Sequence, residues 1–165
     1  MKVTNTTRDL FFDQLRDLHS MESQLCGSMP SLADLTHDGG LEEAIVAHAA
    51  ETAEQRGAIE QIFARHGVEI GDDKCKAIAG LIEGGDAHLQ SVGNHQIRDL
   101  MMIAHCMRIE HYEIAAYEIT TDLASRLGME DEAAMLGELL SQEKSMQNRL
   151  IEMQPYIFQT ANTIA

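Results

Sequence analysis

The stretch Arg108-Ile109-Glu110-His111-Tyr112-Glu113-Ile114-Ala115-Ala116-Tyr117 lies inside a long helical pattern. Leu100, Ile103, Met107, Glu110, Ile114, Tyr117, Thr121 and Ala124 recur at alternating steps of three and four, the buried stripe of a bundle helix. Glu110 stands where an apolar residue belongs. Glu113, one turn on, leans to the same side. An ionised carboxylate in a dry seam is strongly unfavourable unless it is paired or bound to a metal. Its partners must come from the rest of the chain.

Three more long helices are predicted, each with something to offer. The first spans residues 6–28 with the stripe Phe11, Leu15, Leu18, Glu22, Leu25, Met29, so that Glu22 takes a core position. Pro30 and the segment 36–40 break the pattern. The second starts near Gly40 and ends before Gly67, where His66-Gly67 reads as a C-cap. Its seam runs Leu41, Ile45, His48, Glu51 or Thr52, Gln55, Ile59, Ile62, His66, polar for two turns in the middle. The last long helix spans residues 130–154 up to Pro155. Its stripe is Leu136, Leu139, Glu143, Met146, Leu150, Met153, with Glu143 in the core. The helix that carries Glu110 covers residues 95–126 and closes at Gly128. Residues 68–94 are too long for a simple loop. Asp72-Asp73 are read as the cap of a short helix over residues 74–83, ended by Gly84-Gly85, inside the long crossover of a four-helix bundle. Tyr156, Ile157 and Phe158 are placed over the bundle end.

Composition agrees with this reading and excludes others. The chain has 165 residues, 44% apolar and 24% charged, with two prolines and no tryptophan. That is one domain, residues 1–165, large enough for a real core. A net charge of −15 makes nucleic acid and anionic membrane poor partners. No apolar run approaches the ~20 residues of a membrane span, and the first five residues lack the apolar region of a leader. Cys26, Cys75 and Cys106 are an odd count at wide spacings, read as free thiols of a reducing cytoplasm.

A carboxylate in the seam of each of four helices is the outline of a dimetal bundle. Two divalent ions roughly 3.5–4 Å apart need bridging carboxylates and further oxygen or nitrogen ligands. The common arrangement is one Glu from each of two helices and Glu-x-x-His from the other two. Here Glu22 and Glu110 are the single carboxylates, and Glu51 and Glu143 the others. The usual histidines are absent: Glu54 and Met146 stand three residues on. Instead His48 precedes Glu51 by three and Glu113 follows Glu110 by three. One metal position is therefore expected to carry nitrogen and the other to be richer in oxygen. Imidazole favours iron, manganese or zinc over magnesium. His19, three before Glu22, is a further candidate ligand. Gln55 and Gln147 are read as supporting or surface groups rather than ligands. Tyr117, two turns from Glu110, is read as packing and as a candidate hydrogen-bond donor to the site.

Glu-His-Tyr-Glu-Ile-Ala-Ala-Tyr at 110–117, His-x-x-Glu-Thr at 48–52 and Cys-Lys-Ala-Ile-Ala-Gly-Leu-Ile-Glu at 75–83 resemble the YciE/YciF group of ferritin-like proteins. The resemblance runs from about Thr7 to Ile151. It implies an all-α, ferritin-like antiparallel four-helix bundle in the bacterial cytoplasm, a homodimer, and an association with stress responses. The matching residues are Glu22, His48, Glu51, Glu110, Glu113 and Glu143, expected to hold two metal ions, with iron first and manganese or zinc as alternatives. The expected function is the handling of iron with dioxygen or peroxide. Its rivals are iron storage in a closed cage and a non-catalytic interaction protein whose site is vestigial.

Overall fold

The structure, a computed structural model, describes residues 4–162; residues 1–3, part of the N-terminus expected to lack a leader, and residues 163–165 lie outside the described residues. Five helices follow in order: α1 (Thr7–Leu35), α2 (Gly39–His66), α3 (Lys76–Ser91), α4 (His95–Arg126) and α5 (Glu130–Asn162). No strand occurs among the described residues, and no helix is long and apolar enough to cross a membrane.

The long helices begin and end where local chemistry satisfies their terminal groups. Thr6 and Asp9 form a reciprocal capping box at the start of α1. Asp38 and Asn94 accept from the backbone N–H of Leu41 and Ile97 and cap α2 and α4. Gly67 (φ 59°) and Gly128 (φ 70°) take the left-handed conformation that turns the chain out of α2 and α4 at no Cβ penalty.

α1 pairs with α2 and α4 with α5 as two hairpins; α1 also lies against α4, and α2 against α5. Two buried carboxylates fix the relative directions. Asp99, near the start of α4, accepts from the backbone N–H of His37 (2.9 Å) and Asp38 (3.0 Å) in the α1–α2 turn. At the opposite end Glu132 of α5 meets His66 at 3.1 Å and Arg65 at 3.6 Å. α4 thus starts where α1 ends and runs antiparallel to it. The chain crosses the length of the bundle between α2 and α4, and α3 makes that crossing against α1 and α4. The seam is lined by Phe11, Leu15, Leu18, Leu25, Ile45, Ile59, Ile62, Met102, Leu136 and Leu150, all essentially inaccessible.

Three expected breaks do not occur. α1 continues through Pro30 to Leu35, and α5 through Pro155 to Asn162. An interior proline costs about 3 kcal/mol, but both rings are exposed, and each helix buries core residues beyond its proline: Leu32 and Ala33 in α1, Ile157 and Ala161 in α5. Burial outweighs the local penalty. Of the three residues expected over the bundle end, Ile157 is fully buried, while Tyr156 and Phe158 are about half exposed. α3 starts at Lys76 with Cys75 as N-cap and no side-chain cap, so Asp72-Asp73 do not cap it. It also runs through Gly84-Gly85, which are not terminators. Gly85 is a contact: a Cβ there would lie 1.9 Å from Cε1 of the buried His105 ring on α4. Gly84 faces open space.

The two glycines give a paired test of how α3 docks. Gly85→Ala forces the His105 ring or α3 to move and is expected to destabilise by about 1–3 kcal/mol. Gly84→Ala is expected to stabilise by about 0.4–1 kcal/mol through backbone entropy. Urea denaturation measures both; equal effects would mean that α3 does not seat on His105.

Candidate metal centre

Midway along the bundle the apolar layers give way to charge. Glu22 of α1, His48 of α2, Glu110 and Glu113 of α4 and Glu143 of α5 are all 2% exposed or less. His48, Glu110, Glu113 and Glu143 each bring one ligand atom into a group whose members lie within 4.8 Å of one another. His48 Nε2 is 3.4 Å from Glu110 Oε1 and 3.5 Å from Glu143 Oε2. Glu22 stands beside this group, close enough for the Glu143 charge to act on it.

Glu51 is placed differently. It is about half exposed and leaves the seam to Thr52, which is fully buried. The α2 stripe therefore steps 48, 52, 55, and of the two residues left open by the spacing it is Thr52 that faces inward. Glu51 reaches the cluster through His48: its Oε2 lies 3.3 Å from His48 Nδ1. Donation of an Nδ1–H to this carboxylate leaves Nε2 with a lone pair toward Glu110 and Glu143. That is the arrangement in which a carboxylate orients a metal-binding imidazole.

The remaining sequence candidates separate cleanly. Tyr117, fully buried, donates to Glu22 Oε1 at 2.5 Å. Gln55, also fully buried, donates through Nε2 to Glu143 and to Gln142 Oε1 (3.0 Å); the sequence reading placed it outside the ligands without foreseeing this contact. His19 pairs with Glu60 at 3.1 Å and is not brought to the cluster. Gln147 pairs with the exposed His111. The three cysteines are unpaired. Cys75 is a buried residue whose Sγ lies 3.1 Å from the Tyr112 hydroxyl. The Cys106 thiol, one turn before Glu110, is pushed up to about 12 by burial and by the Glu110 charge, so it stays protonated.

Burial also disfavours ionising the carboxylates. Glu110 is pushed up to about 9 and Glu143 to about 7, in each case chiefly by loss of water. Glu22 and Glu113 are driven well above the ordinary range by burial and then by Glu143. His48 is lowered by burial, against the pull of Glu51. The Lys and Arg ion pairs go to Glu60, Glu118, Asp122 and Glu132, none of which belongs to the cluster.

Seven buried atoms here have no hydrogen-bond partner: Glu22 Oε2, His48 Nε2, Gln55 Oε1, Glu110 Oε2, both Glu113 oxygens and Glu143 Oε2. Ionised, these carboxylates would offer only lone pairs, as does a neutral His48 Nε2; without a cation burial makes them hold protons instead. An orphaned buried acceptor costs about 1–3 kcal/mol. His48, Glu110, Glu113 and Glu143 could hold a metal ion between them, and a donor set of one imidazole and several carboxylates suits a divalent first-row metal.

The titrations predict an unusual apo stability curve. A carboxylate raised in the folded state stabilises the fold fully below its unfolded pKa of ~4.3 and loses that contribution as pH climbs through the folded pKa. In chelator, stability should therefore fall toward pH 9, with buried His48 and His105 opposing the trend only below about pH 6.5. Glu110→Gln removes one such charge. Its apo form should melt above wild type at pH 8, by about 2–4 °C for each kcal/mol recovered. Glu51→Gln, at the rim, should stay within about 2 °C of wild type. With manganese present Glu110→Gln should melt below wild type. Matching melts for wild type and Glu110→Gln in both buffers would disprove the buried cluster.

Comparison with known proteins places this arrangement in a family. A model described as a domain of unknown function, DUF892, matches residues 6–163. Protein YciF of Escherichia coli strain K12 is 35% identical over 149 residues, covering 90% of each chain. The crystal structure of the E. coli stress protein YciF superposes with a TM-score of 0.91 at 33% identity, covering 94% of this chain and 99% of that one. YcfI of Rhodopseudomonas palustris, provisionally described as a structural protein, gives a TM-score of 0.86 at 29% identity over 88% of this chain and 93% of that one. The all-helical bundle and the run of matching sequence lead to one conclusion: the chain belongs to the DUF892 family.

Proposed function

We propose that the protein is a ferritin-like dimetal carboxylate protein that handles iron with dioxygen or peroxide during stress. The observation that carries this reading is the set of seven partnerless acceptor atoms drawn from α1, α2, α4 and α5 into one dry region. Glu110, Glu113, Glu143 and Glu22 would hold the ions, and His48 would add nitrogen, oriented by Glu51. Iron held there would supply the electrons that reduce the oxidant. Tyr117 fixes one Glu22 oxygen by its hydrogen bond and leaves the other free. Gln55 fixes one Glu143 oxygen in the same way.

The space beside the cluster favours a small oxidant over an organic substrate. A hollow lined by Met29, Leu32, Ile45, Ile109, Met146, His48, Cys106 and Glu110 has a volume of about 10 Å³ and almost wholly apolar walls. That is room for about one water-sized molecule. The E. coli relative is called a stress protein, which supports the physiological setting. A homodimer in the cytoplasm is part of the same proposal; twofold homo-oligomers are the commonest kind. Manganese or zinc fits the same donors.

The provisional description of the R. palustris relative as structural favours a second reading, a non-catalytic protein that uses metal only to hold its bundle. The two readings share the metal and differ in turnover. Anaerobic ferrous titration should show about two ions per chain. Admission of air or peroxide should then develop near-ultraviolet absorption as iron is oxidised, and the protein should accept ferrous ion again. Binding without oxidation would favour the structural reading, and no binding would contradict both. Light scattering should give the mass of a dimer; a large closed cage would favour storage.

A further inference from the structure

We propose that Gln55 is itself a metal ligand, giving through its amide oxygen a neutral donor to the second ion of the site. The inference rests on the dimetal reading above and adds a residue to it. Gln55 is fully buried in the α2 seam, one step beyond Thr52. With Glu143 ionised, its amide orientation follows from its partners. The nitrogen faces two acceptors, Glu143 Oε1 and Gln142 Oε1, and the reversed amide would set oxygen against oxygen. The other end, Oε1, is then a buried carbonyl with no donor in reach. It lies one amide width from the atom that grips Glu143.

Position and inventory agree. On α5 the seam carries Glu143 and, three residues on, Met146; on α2 it carries Thr52 and, three residues on, Gln55. The Thr52 hydroxyl is already committed, 2.9 Å from the His48 carbonyl and 3.7 Å from Met29 Sδ. Gln55 Oε1 is the oxygen on this stretch of α2 that is buried without any hydrogen-bond partner. His48, Glu110, Glu113 and Glu143 form one compact group. Glu22 Oε2 and Gln55 Oε1 are orphaned beside it, each tied to that group through Glu143. Glu22 and Gln55, with Glu143 shared, would give the second ion oxygen donors only. Such a position favours manganese or ferrous ion over softer metals.

Manganese titration of the full-length protein, followed by calorimetry and by electron paramagnetic resonance of the free ion, tests this. Wild type should bind about two ions per chain. Gln55→Leu should keep one and lose the other, or bind it at least about tenfold more weakly. Gln55→Met, unbranched and without oxygen, replaces Leu where that variant fails to fold. Gln55→Glu supplies an oxygen but no N–H for Glu143, and should bind both ions. Two ions in Gln55→Leu within about threefold of wild-type affinity would overturn the proposal. Loss of the second ion in Gln55→Glu as well would also overturn it, leaving Gln55 a positioning residue that acts through its N–H. Wild type binding a single ion removes the second position, and wild type binding none removes the dimetal reading itself.

Discussion

The central constraint is the burial of several carboxyl groups together, where water no longer solvates their charge. Four carboxylates from three helices, an imidazole and an amide converge between apolar layers, and their outward contacts leave seven inner atoms without partners. The outward contacts are not incidental. Glu51 meets His48 Nδ1, Tyr117 takes one Glu22 oxygen and Gln55 takes one Glu143 oxygen. Each satisfies one face of a side chain and leaves the opposite face bare. Without a cation the carboxylates respond by holding protons, which is why Glu110 and Glu143 titrate far above ordinary glutamates.

The bundle supplies what such a cluster requires. Long helices ending in good caps set the axial positions of Glu22, His48, Glu110 and Glu143. Asp99 ties the α1–α2 turn to the start of α4, and Glu132 ties α5 to the end of α2. These ties lie at opposite ends of the bundle, so the charged middle is held between two fixed points. Apolar layers above and below keep water away and raise the energetic stakes of every unpaired atom.

Much of this was legible in the chain. The three-and-four spacing around Glu110 and Glu143 identified the inward faces of α4 and α5, because an apolar stripe interrupted by one acid leaves little choice of face. It was less decisive on α2, where Glu51 and Thr52 are neighbours and both continue a stripe from His48; the packing of α1 and α5 chose Thr52. Pro30, Pro155 and Gly84-Gly85 misled for one reason: local punctuation is a weak signal when burial continues beyond it, and the His105–Gly85 contact joins residues twenty apart in sequence. His19 shares with His48 the same three-residue offset from a glutamate, and only tertiary packing sends one to Glu60 and the other to the cluster. The grip of Gln55 on Glu143 spans α2 and α5 and had no local signature beyond its place in the seam.

The most direct test of the account is an anomalous-scattering map from crystals grown with manganese, measured so that the metal signal is distinguished from sulfur. The account predicts strong peaks in the middle of the bundle, within bonding distance of Glu110, Glu113, Glu143 and His48 Nε2, with Glu51 on the far side of the imidazole. Manganese found only on exposed carboxylates, or a fully ordered cluster with no anomalous signal at saturating manganese, would contradict it.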